Sequence, residues 1–281
     1  MPELPEMEIT ARRLSESLAG ETIETAVVPG INALKTFDPP LSALEGAKIE
    51  GVRRRWKLLM LDAGGLTLLM HLMSAGRLQL FPKRATMKDR TMRVGLRLSE
   101  DRELRLREFG TKQAAWAKLL RRDEVEQDEL VATLGPDAWP APPLEEFREA
   151  IDESRHLHPL LRHQRDIAGI GRSWVDEILW EAKLSPFKKG SELRGEEVKA
   201  LHDALHVLGD AIDHYEDVIG DQIPDKMPMP LQVHRREGEP CPRCGTTIEA
   251  VFFSEHQMNY CPEEQTGGRV LKDRRLSRLL K

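Results

Sequence analysis

The chain opens with Pro2 and Glu3, two residues whose types and adjacency could support covalent chemistry. Removal of the initiator methionine would expose the secondary amine of Pro2, and an α-amino group with an ordinary pKa near ~8 is partly unprotonated at neutral pH. Such an amine can attack a sugar carbon to give an iminium, while the Glu3 carboxylate shuttles protons. A purely structural interpretation competes, because proline and acidic residues also suit the first turn of a helix. On spacing alone the structural interpretation is the stronger one.

Three cysteines near the other end of the chain have the spacing of a zinc ribbon. Two residues separate Cys241 from Cys244, and sixteen residues separate Cys244 from Cys261. A cysteine at position 264 would complete the ribbon pattern, but the sequence has Glu264 there. Three thiolates and a carboxylate can bind Zn2+, and His256 is another candidate for the fourth ligand. The alternative is a degenerate ribbon that is held by packing alone.

Two further segments carry groups that suit phosphate. The run Arg53-Arg54-Arg55-Trp56-Lys57 places four cations at the start of a predicted strand, where they could neutralise a nucleic-acid backbone. A charged edge strand would have the same composition. The Gly169-Ile170-Gly171 turn precedes a predicted helix whose first N–H groups could hold a phosphate, although plain helix connections also use glycine.

Composition limits the classes of protein in which this chemistry could operate. The chain has 281 residues, a net charge of −5, 40% hydrophobic residues and 32% charged residues, which is typical of a globular protein of about two domains. Its apolar runs are far shorter than the ~20 residues that cross a bilayer, and its acidic start is unlike a secretory signal. We therefore expect a cytoplasmic protein without a membrane span. A negative total does not favour nucleic acid, but it can conceal a basic groove.

The hydrophobic pattern places these residues on distinct elements. Residues 3–19 have the periodicity of an amphipathic helix, and residues 22–120 alternate as in an antiparallel sheet, with strands at 57–62, 66–71 and 92–98. Proline and glycine between residues 135 and 143 predict a linker. Helical periodicity then predicts helices at residues 144–153, 160–166, 172–183 and 195–217.

The cysteines belong to a final segment that starts near residue 232 and ends in a basic tail. This tail could touch nucleic acid or could be a solvated helix face, and its cations are Arg269, Lys272, Arg274, Arg275, Arg278 and Lys281.

From end to end, the chain resembles the formamidopyrimidine-DNA glycosylase and endonuclease VIII family. The resemblance implies an α+β fold in which DNA lies across a cleft. Residues 1–134 would form an N-terminal β-sandwich with an N-terminal helix, residues 135–230 a helical helix-two-turns-helix domain, and residues 231–281 a zinc-ribbon-like β-hairpin with the basic tail. The residues that carry the resemblance are Pro2-Glu3-Leu4-Pro5-Glu6, Lys57, His71, Arg107-Glu108-Phe109-Gly110, the Gly169-Ile170-Gly171 turn and the cysteine ribbon.

The same resemblance implies a bifunctional DNA glycosylase and AP lyase of base excision repair that acts as a monomer on damaged double-stranded DNA. Pro2 would be the nucleophile at C1′ of the damaged nucleotide, Glu3 the general acid-base and Lys57 a phosphate ligand, and Glu6 would help to hold the active site. The damaged base would be flipped out of the stack, because the sugar carbon cannot be reached inside a duplex. The imine left after base loss would undergo β and δ elimination, and Zn2+ would be the cofactor of the ribbon.

Side chains that fill the gap left by the flipped base are also implied. His71 would contact DNA beside the loop that carries the first wedge. The methionine of that loop is either Met73, one place early, or is replaced by Ser74. Arg107 would face the estranged base and Phe109 would stack in the gap.

Other positions depart from the family pattern. Glu108 brings a negative charge where a phosphate is expected, Arg172 replaces an asparagine after the glycine turn, and His256 replaces an arginine of the ribbon hairpin. The connection over residues 215–232 is acidic and rich in proline, unlike that of purine-type members. Two alternatives therefore remain open, namely a damaged-DNA-binding protein with weak catalysis and an unrelated zinc-ribbon module that binds RNA.

Overall fold

The computed structural model describes residues 2–86, 88–109, 113–253 and 256–271. Its strands are β1 (Thr25–Val27), β2 (Ile49–Arg55), β3 (Leu58–Ala63), β4 (Leu66–His71), β5 (Gly76–Phe81), β6 (Met92–Arg97), β7 (Glu103–Glu108), β8 (Trp116–Arg121), β9 (Glu249–Phe253) and β10 (His256–Tyr260). Its α-helices are α1 (Leu4–Leu18), α2 (Glu129–Ala132), α3 (Leu144–Ile151), α4 (Leu157–Leu160), α5 (Arg172–Glu181), α6 (Gly195–Asp203), α7 (His206–Val218) and α8 (Pro262–Thr266). Most of the basic tail, residues 272–281, lies outside the described residues.

The helix predicted at the N-terminus is confirmed as α1. Met7, Ala11, Leu14 and Leu18 are buried because their spacing puts them on one face of the helix. The chain leaves the helix through Gly20, whose φ of 86° suits glycine and few other residues.

Two four-stranded antiparallel sheets form the predicted β-sandwich. Their strand orders are β1-β6-β7-β5 and β2-β3-β4-β8. Leu59 and Leu61 of β3 face inward and share one core with Leu96 of β6 and Leu104 of β7. The sheet prediction for residues 22–120 is therefore confirmed, and α1 packs against the sandwich, chiefly against β2.

The outer face of the second sheet carries a smaller apolar cluster. Leu58 and Met60 point to this face because side chains alternate along β3. Trp56 and Trp116 pack against the same cluster. Two tryptophan rings therefore lie close to the point where β3 begins and β4 ends.

The chain divides into two compact units, one comprising residues 1–133 with 212–228 and the other comprising residues 134–211 with 229–281. Helix α7 runs from the second unit into the first, so its last turns and the segment that follows pack with the sandwich. No helix within the described residues combines the length and apolar character needed to span a membrane.

Two of the helices predicted in the second unit differ from the structure, one because it is absent and one because it is divided. In place of a helix at 160–166, α4 ends at Leu160 and turns follow, because the Gln164 side chain bonds the N–H of Gly169 at 2.9 Å and the carbonyl oxygen of Ile170 at 2.9 Å. The helix predicted at 195–217 is divided into α6 and α7, which are separated at residues 204–205, where the N–H of Leu205 bonds the carbonyl oxygen of His202 three residues back.

Two buried carboxylates of α5 bind the backbone of the segment that precedes the ribbon and of the hairpin strand β10. Glu177 accepts hydrogen bonds from the backbone N–H groups of residues 232, 233 and 234 at 2.9, 3.0 and 2.8 Å. Asp176 accepts from the N–H of Asn259 in β10 at 3.0 Å and lies 2.7 Å from Nδ1 of His234. Helix α5 and the hairpin are therefore joined by polar contacts within the second unit.

Candidate active site and metal centre

Pro2 and Glu3 lie directly before α1, where the backbone changes from extended to helical. Glu3 is the N-cap residue and forms a capping box with Glu6. Glu3 is 2% exposed, whereas Pro2 is only partly buried. An acidic residue at the start of a helix agrees with the structural interpretation, and the capping box, which the sequence did not predict, gives the Pro2–Glu3 peptide a defined orientation.

Glu6 accepts hydrogen bonds from a neighbouring residue, Glu3, and from a residue far along the chain, Tyr215. One carboxylate oxygen, Oε2, accepts from the N–H of Glu3 at 2.8 Å, and the other, Oε1, accepts from the hydroxyl of Tyr215 at 2.6 Å. Burial, followed by the negative charge of Glu6, raises the pKa of Tyr215 well above its ordinary value, so the hydroxyl remains a donor. Sequence reasoning missed Tyr215, because nothing in the local pattern connects α7 with α1.

Lys57 lies in the turn between β2 and β3, one residue before the strand in which it was predicted. It is buried, and its charge acts on the His71 imidazole. Trp56, which precedes it, has a φ of 57°, an uncommon value for a bulky residue. The turn therefore brings an ammonium group and an imidazole together where β3 begins and β4 ends.

His71, at the end of β4, lies between two tryptophan rings. Its centroid is 5.1 Å from that of Trp56 and 5.6 Å from that of Trp116. Burial, followed by the charge of Lys57, lowers the pKa of His71 to about 4, so the imidazole is neutral at physiological pH. Its Nδ1 accepts from the N–H of Met73 at 3.0 Å, which leaves the proton on Nε2.

The arginines that precede Lys57 are in part neutralised. Arg53 pairs with Asp62 at 2.8 Å, and the buried Arg54 pairs with Glu8 at 2.8 Å. Burial would raise the pKa of Glu8, but the hydrogen bonds and charges of Arg54 and Arg12 outweigh it and leave that pKa below its ordinary value. These two arginines therefore belong to the protein's own ion pairs.

The first predicted wedge is a tight loop between β4 and β5. Met73 has a φ of 49° and Ser74 is exposed at the tip. The loop closes on Gly76, where a Cβ atom would lie 2.3 Å from the carbonyl oxygen of Leu72. Both candidates for the hole-filling side chain are thus presented by a loop that the backbone holds in shape.

The second predicted wedge lies beside the first. The N–H of Phe109 bonds the carbonyl oxygen of Ala75 at 3.4 Å, and the Phe109 ring is 49% exposed. Arg107 lies beneath that ring, with its guanidinium carbon 4.5 Å from the centroid, and Nη1 of Arg107 bonds Oε1 of Gln79 at 3.3 Å. Gly110, which completes the motif, lies outside the described residues.

The expectation that Glu108 places a negative charge against a phosphate is wrong. Glu108 is buried, lies 3.5 Å from Nε of Arg93 and accepts hydrogen bonds from the N–H groups of Ala114 and Ala115. Side chains alternate along β7, so Glu108 faces inward between Arg107 and Phe109. Its charge is compensated inside the sandwich.

The acidic segment after α7 is attached to β5 within the first unit. Nε2 of Gln79 donates to the carbonyl oxygen of Ile223 at 2.8 Å and to Oδ1 of Asp225 at 3.1 Å. Arg77 donates to the carbonyl oxygen of Asp225, and Arg107 lies 3.8 Å from the Asp225 carboxylate. This acidic segment therefore contacts Arg107, the residue beneath the Phe109 ring.

The glycine turn of the second unit precedes α5 as predicted. Gly169 has a φ of 103°, and Gly171 is the N-cap residue of the helix. Arg172 is exposed at the first helical position. The structure describes the backbone of His256 in β10, and the side chain of His256 lies outside what it describes.

The three cysteines meet at one point in the second unit. Their sulfur atoms all lie within 4.8 Å of one another, and the Sγ atoms of Cys244 and Cys261 are 3.4 Å apart. Gly245, with a φ of 76°, lets the loop after Cys244 turn so that its N–H bonds the carbonyl oxygen of Cys241 at 2.8 Å. Three converging thiols at this spacing fit a tetrahedral zinc ion.

The carboxylate of Glu264 contacts cations in this structure. Its Oε2 lies 3.3 Å from Nε of Arg243 and 3.4 Å from Nζ of Lys183. Arg243 is held in turn by Glu181 at 3.1 Å and by the face of Trp180, with the guanidinium carbon 3.6 Å from the ring centroid. Ligation of zinc by Glu264 stays a prediction.

Models of known protein families match three parts of the chain. Residues 1–111 match the formamidopyrimidine-DNA glycosylase N-terminal domain, residues 134–222 the formamidopyrimidine-DNA glycosylase H2TH domain, and residues 238–263 a zinc finger found in FPG and IleRS.

Curated relatives are similar over nearly the whole chain. A formamidopyrimidine-DNA glycosylase of Roseiflexus sp. is 33% identical over 283 residues, covering 94% of this chain and 100% of that protein. One from Thermus thermophilus is 32% identical over 284 residues, covering 95% and 100%. An uncharacterized formamidopyrimidine-DNA glycosylase-like protein of Mycobacterium tuberculosis is 39% identical over 149 residues, covering 53% and 94%.

Solved structures agree with this similarity. A complex between Lactococcus lactis Fpg and DNA containing an abasic site superposes with a TM-score of 0.83 at 27% identity, covering 94% of this chain and 99% of that one. A complex between a mutant form of the same bacterial protein and Fapy-dG-containing DNA has a TM-score of 0.84 at 28% identity, covering 94% and 100%.

Proposed function

The chain belongs to the formamidopyrimidine-DNA glycosylase family, and from that membership we propose that it excises damaged bases from double-stranded DNA through the amine of Pro2. It is a DNA glycosylase with AP lyase activity that acts in base excision repair. The observation that carries the assignment of the reacting group is the start of α1, where Pro2 precedes a buried Glu3 whose N–H is held by Glu6.

In the proposed reaction the nitrogen of Pro2 bonds C1′ of the damaged nucleotide while the glycosidic bond breaks. Glu3 exchanges protons with the sugar and the leaving base, because it is the next residue in the chain after the one that carries the amine. The nitrogen then loses its proton, and the C1′–O4′ bond breaks as O4′ is protonated, which gives an open-chain iminium. The iminium acidifies the C2′ hydrogen, so loss of that proton expels the 3′ phosphate by β elimination, and δ elimination then expels the 5′ phosphate. Covalent catalysis of this kind divides one difficult displacement into easier steps.

Lys57 and His71 would hold the backbone beside the reacting sugar. Lys57 supplies a positive charge, and the neutral His71 supplies an N–H donor from Nε2. An ammonium group contributes to affinity through release of counterions from DNA, whereas a neutral donor contributes position.

Phe109, with Arg107 beneath it, and the Met73–Ser74 loop would fill the gap left by the flipped base. Insertion of side chains between base steps costs a few kcal/mol of unstacking. Side chains that are already held in place avoid a further entropic cost of ordering on binding. The stacking of Arg107 on Phe109 and the bond between Phe109 and Ala75 support this role. Arg172, at the start of α5, and His256, in β10, are proposed as phosphate contacts of the second unit.

Zinc is the cofactor of the ribbon, and Cys241, Cys244 and Cys261 would hold it. A bound zinc ion supplies folding energy to a small ribbon. The three-domain division over residues 1–134, 135–230 and 231–281 stays a prediction. We further propose that the protein acts as a monomer in the cytoplasm, where bacterial relatives would meet chromosomal DNA.

The weakly catalytic alternative loses one of its supports, because Glu108 is compensated inside the sandwich. The deciding experiment incubates the protein with a duplex that contains one abasic site and then adds borohydride. The expected result is a covalent protein–DNA band for the wild type and a strongly reduced band for Pro2→Gly, with DNA affinity largely retained. Absence of a band with the wild type, or an undiminished band with a blocked N-terminus, would overturn the proposal.

A further inference from the structure

Tyr215 lies in α7, far along the chain from the proposed catalytic residues Pro2 and Glu3, yet it contacts Glu6 of the same N-terminal segment directly. Its hydroxyl is 2.6 Å from Oε1 of Glu6, and both side chains are buried. Buried polar groups in proteins are almost always paired, and a hydrogen bond to a charged group contributes more than one between neutral groups. The contact is therefore a specific feature of the folded chain.

The contact continues to the peptide next to the proposed nucleophile. The other oxygen of Glu6, Oε2, accepts from the N–H of Glu3 at 2.8 Å. That N–H belongs to the planar peptide bond between Pro2 and Glu3, so its orientation fixes the carbonyl and Cα of Pro2. One rotation about Pro2 then remains to place the amine. Tyr215, Glu6 and the Pro2–Glu3 peptide thus form one chain of contacts.

We propose that Tyr215 is a positioning residue of the glycosylase and lyase reaction, which holds Glu6 and thereby the peptide that carries the Pro2 amine. This inference rests on the proposed function, because it assigns Tyr215 a part in the chemistry of Pro2. The raised pKa of Tyr215 is consistent with it, since the phenol stays protonated and keeps donating.

The next residue of α7 provides a matched comparison. Glu216 pairs with Arg12 at 3.3 Å and with Arg13 at 2.7 Å, both in later turns of α1. Glu216 therefore also attaches α7 to α1, but without touching Glu6. If Tyr215 acts only by docking the two helices, removal of either contact should have similar consequences.

The test measures borohydride trapping of an abasic duplex under single-turnover conditions, with saturating enzyme, together with the Kd for the same DNA. Tyr215→Phe removes one oxygen atom and should lower the maximal trapping rate about tenfold while leaving Kd within about twofold, because misplacement by a fraction of an ångström affects chemistry more than binding. Glu216→Gln should leave both quantities within about twofold. The rate constant reports folded molecules alone, since partial unfolding lowers the amplitude of the time course.

A double-mutant cycle with Glu6→Gln tests whether Tyr215 acts through Glu6. The loss in Tyr215→Phe/Glu6→Gln should be no larger than that in Glu6→Gln alone. The proposal is overturned if Tyr215→Phe traps at the wild-type rate, if its loss adds fully to that of Glu6→Gln, or if Glu216→Gln is equally slow. A wild type that forms no covalent band would instead overturn the proposed function on which the inference rests.

Discussion

The guanidinium carbon of Arg107 lies 4.5 Å from the centroid of the exposed Phe109 ring. Arg107 also bonds Oγ1 of Thr91 at 3.2 Å, so the cation under the ring is fixed to the sheet before DNA is present. A ring supported in this way enters a base step without first losing the entropy of ordering its own side chain. The pair therefore has the properties of a preorganised wedge.

Removal of this wedge should affect paired DNA most. Phe109→Ala and Arg107→Ala should each lower the excision rate on a duplex lesion about tenfold or more, and lower it much less on a single strand, where no unstacking cost of a few kcal/mol arises. The measurement is the single-turnover excision rate on both substrates.

Phe37→Ala is the control for the wedge, because Phe37 is 64% exposed in the same unit and has no proposed DNA contact. Its rates should match those of the wild type. Equal losses on paired and single-stranded substrates in Phe109→Ala would show that Phe109 has a structural role only.

Lys57 should contribute a charge to DNA binding. Lys57→Gln retains most of the side-chain volume and removes the charge, so affinity should fall and the slope of log K against log salt should become shallower by about one unit. Lys48→Gln, which alters an exposed lysine just before β2, should leave the slope unchanged. An unaltered slope in Lys57→Gln would exclude Lys57 as a phosphate ligand.

Local sequence patterns predicted the helix and strands that carry the site. They did not predict which residues from distant parts of the chain contact each other. The spacing of Met7, Ala11, Leu14 and Leu18 was enough for α1, since one buried face determines a helix. The partnership of Tyr215 with Glu6 joins residues 209 positions apart, which no periodicity reveals.

The same distinction applies to charges and aromatic rings. Glu108 reads as a surface carboxylate in its motif, but its partner Arg93 lies on a neighbouring strand. Trp56 and Trp116 enclose His71 because β4 pairs with both β3 and β8, and that strand order follows from tertiary structure. The neutral state of His71 was therefore unpredictable from its place in the sequence.

The low pKa of His71 should appear in the pH dependence of stability. The folded state keeps His71 neutral down to about pH 4, whereas an unfolded chain protonates it near its ordinary value of 6.5. Between these values the unfolded state binds more protons, so the contribution of His71 is complete above pH 6.5 and is lost as the pH falls toward 4. The free energy of unfolding should decrease over this window by up to about 3 kcal/mol from this group.

The measurement compares denaturant unfolding of the wild type with that of His71→Asn between about pH 4 and 7. Asparagine keeps an acceptor for the N–H of Met73 and does not titrate. The variant should show a smaller decrease than the wild type, and His206→Asn, at an exposed histidine, should behave like the wild type. Parallel pH profiles for the wild type and His71→Asn would contradict a depressed pKa.

The zinc ribbon should hold its metal less firmly than four thiolates would. Cys241, Cys244 and Cys261 converge, while Glu264 has ion pairs with Arg243 and Lys183 that compete with the metal for its carboxylate. Glu264→Cys should therefore slow the loss of zinc to a chelator by about tenfold or more, because a fourth thiolate is a better ligand without competing cations. Glu263→Cys, at the exposed neighbouring position, controls for an added thiol.

The measurement is zinc release followed by a chromogenic chelator, with DNA affinity recorded on the same samples. DNA affinity should fall as zinc leaves, because the metal supplies folding energy to the hairpin. Protein that contains no zinc when prepared without chelators, together with a Glu264→Cys variant that acquires none, would show that packing alone holds the ribbon.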